Sequence, residues 1–130
     1  MIVLDTHVWI WWVDDSSRLK RAVRDQIDAE SDVRVSAISL LEIATAVSSA
    51  RLTLKPSAQQ WLEVAQAAEQ LRIEPITAEL CLDSVALPGD FHRDPADRLI
   101  VALARKLDVQ LVTADRKILA YTSVATIAAE

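Results

Sequence analysis

The sequence predicts an α/β sandwich on a mostly parallel sheet, and three features carry that prediction. Short apolar runs rich in β-branched residues (Ile2-Val3-Leu4, Val33-Arg34-Val35 and 109–112) recur along the chain, separated by segments of helical periodicity. The first run lacks polar alternation, as a strand covered on both faces does. One glycine and four prolines in 130 residues exclude a turn-rich all-β sandwich, a collagen repeat and a low-complexity linker. At this length the chain is read as one domain, 1–130, with no room for a second core.

Each element follows from its local pattern. The strand Ile2-Val3-Leu4 ends at Asp5, and His7 to Val13 reads as a short helix with Trp9 and Trp12 one turn apart. An amphipathic helix runs from about Ser17 to Ala29 with Leu19, Val23 and Ile27 on one face, and the strand Val33-Arg34-Val35 follows. A third helix starts near Ser39 and continues to about Leu52, after which Pro56 breaks the chain. Trp61, Leu62, Ala65 and Ala68 at helical spacing predict a fourth helix over 58–71. A strand over 72–76 comes next, with Pro75 marking its end or an edge position. A fifth helix spans 77–87 and a turn 88–90. Asp94-Pro95 then starts a helix reaching about Leu107, because aspartate is a favoured cap and proline suits the first helical position. A strand at 109–112, a short helix at 115–121 and a strand at 124–127 complete the pattern.

Composition narrows the function classes. Hydrophobic residues at 52%, charged residues at 25% and a mean hydropathy of +0.19 exclude a disordered chain. The apolar stretch Val8 to Val13 is far shorter than the roughly 20 residues of a membrane span, so no membrane partner is expected. Asp5 interrupts the amino-terminal apolar run and no basic leader precedes it, which points to the cytosol. A single cysteine, Cys81, excludes an intramolecular disulfide, and with only His7 and His92 beside it no structural zinc set exists; it is expected in the core. Net charge −5 and pI near 5.0 argue against general nucleic-acid binding unless several acids are gathered in one site. The basic runs Arg18/Lys20/Arg21/Arg24, Arg51/Lys55 and Arg105/Lys106 read as solvated helix faces, with a phosphate-tracking rim as the alternative.

In a parallel sheet, sites form beyond the carboxyl ends of the strands. Asp5 follows the first strand, Asp115 follows Leu111 to Ala114, Glu42 lies in the helix after the second strand, and Asp97 in the first turn of the helix preceding the Asp115 strand. Each has an ordinary structural reading: Ser39 and Glu42 match a capping box, Asp94 and Asp115 suit helix caps, Asp97 suits a helix dipole, and Asp5 an Asx turn. Taken together they carry a cost, since clustered carboxylates raise one another's pKa unless a cation compensates. An all-oxygen set of this kind favours Mg²⁺ or Mn²⁺ over zinc, and such ions act on phosphate esters.

These residues also resemble a known family. The opening L-D-T-H-V-W-I-W-W, the segment S-A-I-S-L-L-E-I, the helix H-R-D-P-A-D-R-L-I-V-A-L-A and the closing L-V-T-A-D-R-K-I are similar to PIN domains, and more narrowly to VapC-type toxins of type II toxin–antitoxin operons. The likeness runs from Ile2 to about Ile127. It implies a three-layer α/β/α PIN-like sandwich and a metal-dependent endoribonuclease that hydrolyses an RNA phosphodiester, of tRNA or rRNA, to a 3′-hydroxyl and a 5′-phosphate. By this resemblance Asp5, Glu42, Asp97 and Asp115 are the catalytic, metal-binding residues, with Mg²⁺ as cofactor and Mn²⁺ as a substitute. Asp94, Thr113 and Thr6 are accessory candidates; for each the structural alternative is a cap or a packed hydroxyl. The resemblance also implies a homodimer and a cognate antitoxin that blocks the site and alone contacts operator DNA.

His7 is expected to make a short-range structural contact, and His92 and Arg93 are loop residues able to reach RNA phosphate. Trp9, Trp11, Trp12 and Trp61 are read as core or interface residues before base-stacking ones. Three rival functions remain. An aspartyl-phosphate phosphatase would need an acid where His7 stands. An inactive PIN-like binding module would have no use for four intact acids, and a structure-specific DNA nuclease would need added DNA-gripping elements.

Overall fold

A computed structural model describes residues 1–130. Its elements are β1 (Ile2–Leu4), α1 (Thr6–Val13), α2 (Arg21–Ala29), β2 (Val33–Ser36), α3 (Ile38–Ser48), α4 (Ala58–Ala65), β3 (Leu71–Glu74), α5 (Ala78–Val85), α6 (Pro95–Leu107), β4 (Leu111–Thr113), α7 (Arg116–Leu119) and β5 (Thr126–Ala128). The strands form one sheet in the order β3-β2-β1-β4-β5, and every pairing is parallel. Leu4 pairs with Val35 on one side and Val112 on the other, so β1 lies at the centre.

Period-2 alternation along β1 divides the interior into two cores. Ile2 and Leu4 face a cluster with Val8, Trp9, Val23, Ile27, Ile43 and Trp61, contributed by α1, α2, α3 and α4. Val3 faces the other cluster, with Leu80, Ile100, Leu103, Leu111 and Ile118, from α5, α6, β4 and α7. The result is the expected three-layer α/β/α sandwich. Because the strand order reverses direction at β1, a crevice opens between β1 and β4 at the carboxyl end, the place where open α/β sheets bind ligands. No helix is long and apolar enough to cross a membrane.

Several boundaries differ from the sequence reading. The second helix starts at Arg21, leaving Leu19 buried just ahead of it. The fourth ends at Ala65 instead of Leu71, because Leu71 is taken by β3 to pair with Val33. The strand β3 stops at Glu74, ahead of Pro75, which cannot donate to a ladder. The strand β4 spans Leu111–Thr113, shifted toward Asp115, because Val109 N–H closes the end of α6 on the Ala104 carbonyl. Cys81, expected in the core, is exposed on α5, since the helix turns Leu80 and Ser84 inward. Trp9 and Trp61 are core residues packed edge to face at 5.9 Å, and Trp61 Nε1 donates to Asp14 at 2.7 Å. Trp11 and Trp12 are half-buried; Trp12 donates to Asp28 and Arg18 covers Trp11.

The helix α3 stops at Ser48 instead of near Leu52 through a left-handed turn without glycine. Ala50 has φ +59°, its N–H bonds the Val47 carbonyl at 3.1 Å, and Arg51 N–H bonds Ala46 at 2.9 Å, the pattern of a Schellman cap. An L-residue in this conformation carries a Cβ penalty that glycine lacks. Ala50→Gly is therefore expected to raise stability by about 0.5–1 kcal/mol, whereas Ala44→Gly, in the exposed middle of α3, lowers it by about 1 kcal/mol. Urea unfolding of the two variants checks the opposite signs; a loss in both would refute the cap assignment.

Candidate functional site

The parallel strands deliver the four predicted acids to one cleft. Its volume is about 650 Å³, and its lining includes Asp5, Glu42, Asp94, Asp97 and Asp115. Asp5 comes from the end of β1, Glu42 from the second turn of α3, Asp94 and Asp97 from the start of α6, and Asp115 from the β4–α7 turn. The tightest trio is Glu42, Asp94 and Asp97, each with an oxygen within 4.8 Å of the others. Asp94 thus stands in the closest group while also capping α6, its Oδ1 accepting Ala96 N–H at 3.1 Å.

The structural and the clustered readings of these acids coexist. Asp5, 3% exposed, accepts Thr6 N–H on Oδ1 at 2.8 Å and the Thr113 hydroxyl on Oδ2 at 2.7 Å. Asp115 caps α7 through Oδ1, which accepts Lys117 and Ile118 N–H at 2.8 and 3.2 Å. Asp115 N–H in turn bonds Thr113 Oγ1 at 3.0 Å, so one buried hydroxyl ties the two acids together. Glu42 departs from its expected capping box. The helix α3 starts at Ile38 with no side-chain cap, so Ser39 is already inside it, and the Glu42 carboxylate turns to the Thr6 hydroxyl, 2.5 Å from Oε1. Thr6 Oγ1 also meets Ser39 Oγ at 2.7 Å.

The cleft is electrostatically strained. Burial pushes the Asp97 carboxyl up to about 7, and Asp5, Asp94, Asp115 and Glu42 all push the same way. Burial also raises Glu42; the hydrogen bond from Thr6 opposes that rise, while Asp5 and Asp94 add to it. The donor set contains only hard oxygen ligands, and its negative charges are crowded and partly buried. Both properties fit a divalent cation of the Mg²⁺ or Mn²⁺ type.

Two histidines border the cluster. His7 makes a long-range contact, not a short-range one: Nε2 accepts Ala114 N–H at 3.1 Å, and Nδ1 lies 3.7 Å from Asp5 Oδ2. This bond joins the start of α1 to the turn that carries Asp115. His92 Nε2 is buried 3.0 Å from Asp97 Oδ2, off the line a hydrogen bond requires, while Arg93 is exposed. Sequence reasoning missed Arg98, which donates to the Ser84, Phe91 and His92 carbonyls and so fixes the loop leading into α6. Its place one residue after Asp97 was visible, but its carbonyl partners depend on a loop path no local pattern encodes. Arg51 also lines the cleft.

Known proteins share the family and the fold of this chain. Residues 2–123 match the PIN domain family. The chain is 38% identical over 117 residues to ribonuclease VapC22 of Mycobacterium tuberculosis, covering 90% of this chain and 88% of that one. In fold it is similar to the crystal structure of VapBC2 from Rickettsia felis bound to a promoter DNA fragment, with a TM-score of 0.75, 18% identity and full coverage of both chains. It is likewise similar to Mycobacterium tuberculosis VapC20, a sarcin-ricin loop cleaving toxin, with a TM-score of 0.64, 16% identity and coverage of 95% and 98%. The chain belongs to the PIN domain family and, within it, to the VapC-type toxins of toxin–antitoxin systems.

Proposed function

We propose that this protein is a metal-dependent endoribonuclease that hydrolyses RNA phosphodiesters as the toxin of a type II toxin–antitoxin pair. The observation that carries the reading is the convergence of five carboxylates on one cleft, three of them within 4.8 Å of one another. Asp5, Glu42 and Asp97 would hold Mg²⁺, or Mn²⁺ in its place, and Asp115 would help hold it or a second ion. Asp94, which joins Glu42 and Asp97 in the closest trio, would be an accessory ligand, and Thr113 and Thr6 orient the Asp5 and Glu42 carboxylates through the hydrogen bonds given above. When bound, such a cation polarises a phosphoryl oxygen and makes water a nucleophile at neutral pH. Arg51 on the cleft wall offers a charge to the phosphate backbone of the substrate.

The substrate and partner parts of this proposal rest on relatives. VapC22 is named a ribonuclease and VapC20 a sarcin-ricin loop cleaving toxin, which supports a structured RNA, of tRNA or rRNA, as the target. The Rickettsia protein is a VapBC pair on promoter DNA, which supports a cognate antitoxin as partner and operator DNA as a contact of that antitoxin. A homodimer and a cytoplasmic location complete the proposal.

Antitoxin-free protein incubated with mixed tRNA and rRNA tests it. Discrete cuts are expected with Mg²⁺ or Mn²⁺ and none with EDTA, and Asp97→Asn is expected to lose at least about 100-fold in rate. Failure of folded protein to cut under every condition would favour the inactive binding module; equal cutting by Asp97→Asn would place the site elsewhere.

With its folded-state pKa about 7 and its ordinary value 3.8, Asp97 keeps a proton in the fold that the unfolded chain has already released. Its contribution to stability is full below about pH 4 and is lost as pH rises through about 7. In EDTA the wild type should therefore lose thermal stability between pH 5 and 8, and Asp97→Asn should lose markedly less. Mg²⁺ should stabilise the wild type more at pH 8 than at pH 5. Equal pH dependence in the two proteins would contradict the assignment.

A further inference from the structure

We propose that Ser39 is a positioning residue for Glu42, acting through the Thr6 hydroxyl, an inference that rests on the metal-centre reading above. Ionised Glu42 can only accept, so the single Thr6 hydroxyl proton is committed to Oε1, 2.5 Å away. Toward Ser39 Oγ, 2.7 Å away, Thr6 Oγ1 is then left as an acceptor, and the Ser39 proton must point at it. Ser39 is fully buried at 0% exposure, and its hydroxyl makes no other hydrogen bond. Ser39 and Glu42 lie three residues apart on α3 and so share a face, while Thr6 opens α1 opposite them. The three side chains form a one-way relay, Ser39 to Thr6 to Glu42, that joins two helices across the mouth of the sheet.

The relay has a purpose that packing does not explain. β-Branching restricts χ1 of a threonine, but its hydroxyl proton can still turn about Cβ–O. An incoming donor fixes its lone pairs and therefore its proton. Glu42 is then restrained through Oε1, its second oxygen accepts no hydrogen bond from the protein, and the residue lines the cleft with Asp94 and Asp97. Without Ser39, the Glu42 carboxylate has more ways to turn and a cation must select one of them. Outer hydrogen bonds of this kind commonly alter metal affinity by about 10- to 100-fold.

The test is calorimetric titration of metal-stripped full-length protein with Mn²⁺, which reads binding without catalysis. Ser39→Ala is expected to weaken Mn²⁺ binding about 10-fold, and Thr6→Val at least as much. The double variant should be no weaker than Thr6→Val alone, because Ser39 has nothing to act on once the Thr6 hydroxyl is gone. Thr6→Ser, which keeps the hydroxyl, should bind as the wild type does. Unchanged affinity in Ser39→Ala, or losses that multiply in the double variant, would overturn the relay while leaving the metal centre standing. Absence of any Mn²⁺ uptake by the wild type that Asp97→Asn removes would overturn the metal centre and the relay together. Thermal melts in EDTA confirm that each variant is folded; if Thr6→Val is not, Ser39→Ala against Thr6→Ser decides.

Discussion

The parallel pairing of β1 with β2 on one side and β4 on the other is the constraint on which the rest of the molecule depends. Parallel strands end on the same side of a sheet, so the residues following each are neighbours in space whatever their distance in sequence. Asp5 and Thr113 are separated by 108 positions yet share a hydrogen bond, and His7 accepts the Ala114 N–H from 107 positions away. The two hydrophobic cores hold this arrangement from either face. Ile2 and Leu4 anchor β1 in one core and Val3 in the other, and a slip of one residue would exchange those faces and remove Asp5 from the cleft.

Within that frame the carboxylates are used twice. Asp5, Asp94 and Asp115 each commit one oxygen to a helix amino terminus, where it satisfies a backbone N–H and meets the favourable end of the helix dipole. Capping lowers the cost of bringing the acids together without cancelling it: burial first, and then the neighbouring carboxylates, push Asp97 up to about 7. The site is thus held in a repulsive arrangement by helices and strands that are stable for other reasons. A divalent cation bound there would relieve that repulsion.

Much of this was legible in the residues. Asp94-Pro95 announced the start of α6, the apolar run Ile2 to Leu4 announced a strand buried on both faces, and the position of each acid relative to a strand end indicated convergence. What stayed hidden depended on tertiary contacts. The Ser39-x-x-Glu42 spacing is that of a capping box, and only the approach of Thr6 from α1 shows that the glutamate turns outward. The end of α3 was invisible because Ala50 occupies a left-handed position that a sequence normally signals with glycine. Cys81 is exposed because α5 buries only the stripe of Leu80 and Ser84, and nothing local in the sequence says which stripe faces inward. The contact of His7 is hidden from local sequence because its partner, Ala114, lies near the far end of the chain.

We infer that the crowded acids at the carboxyl end of the sheet hold a divalent metal. Diffraction from crystals grown in Mn²⁺, with data collected at the manganese absorption edge, tests it most directly. The expected result is an anomalous peak bonded to oxygens of Asp97 and of at least one of Asp5 and Glu42, absent from crystals of Asp97→Asn. Saturating Mn²⁺ with no peak in the cleft, or a peak held only by residues outside it, would contradict the claim.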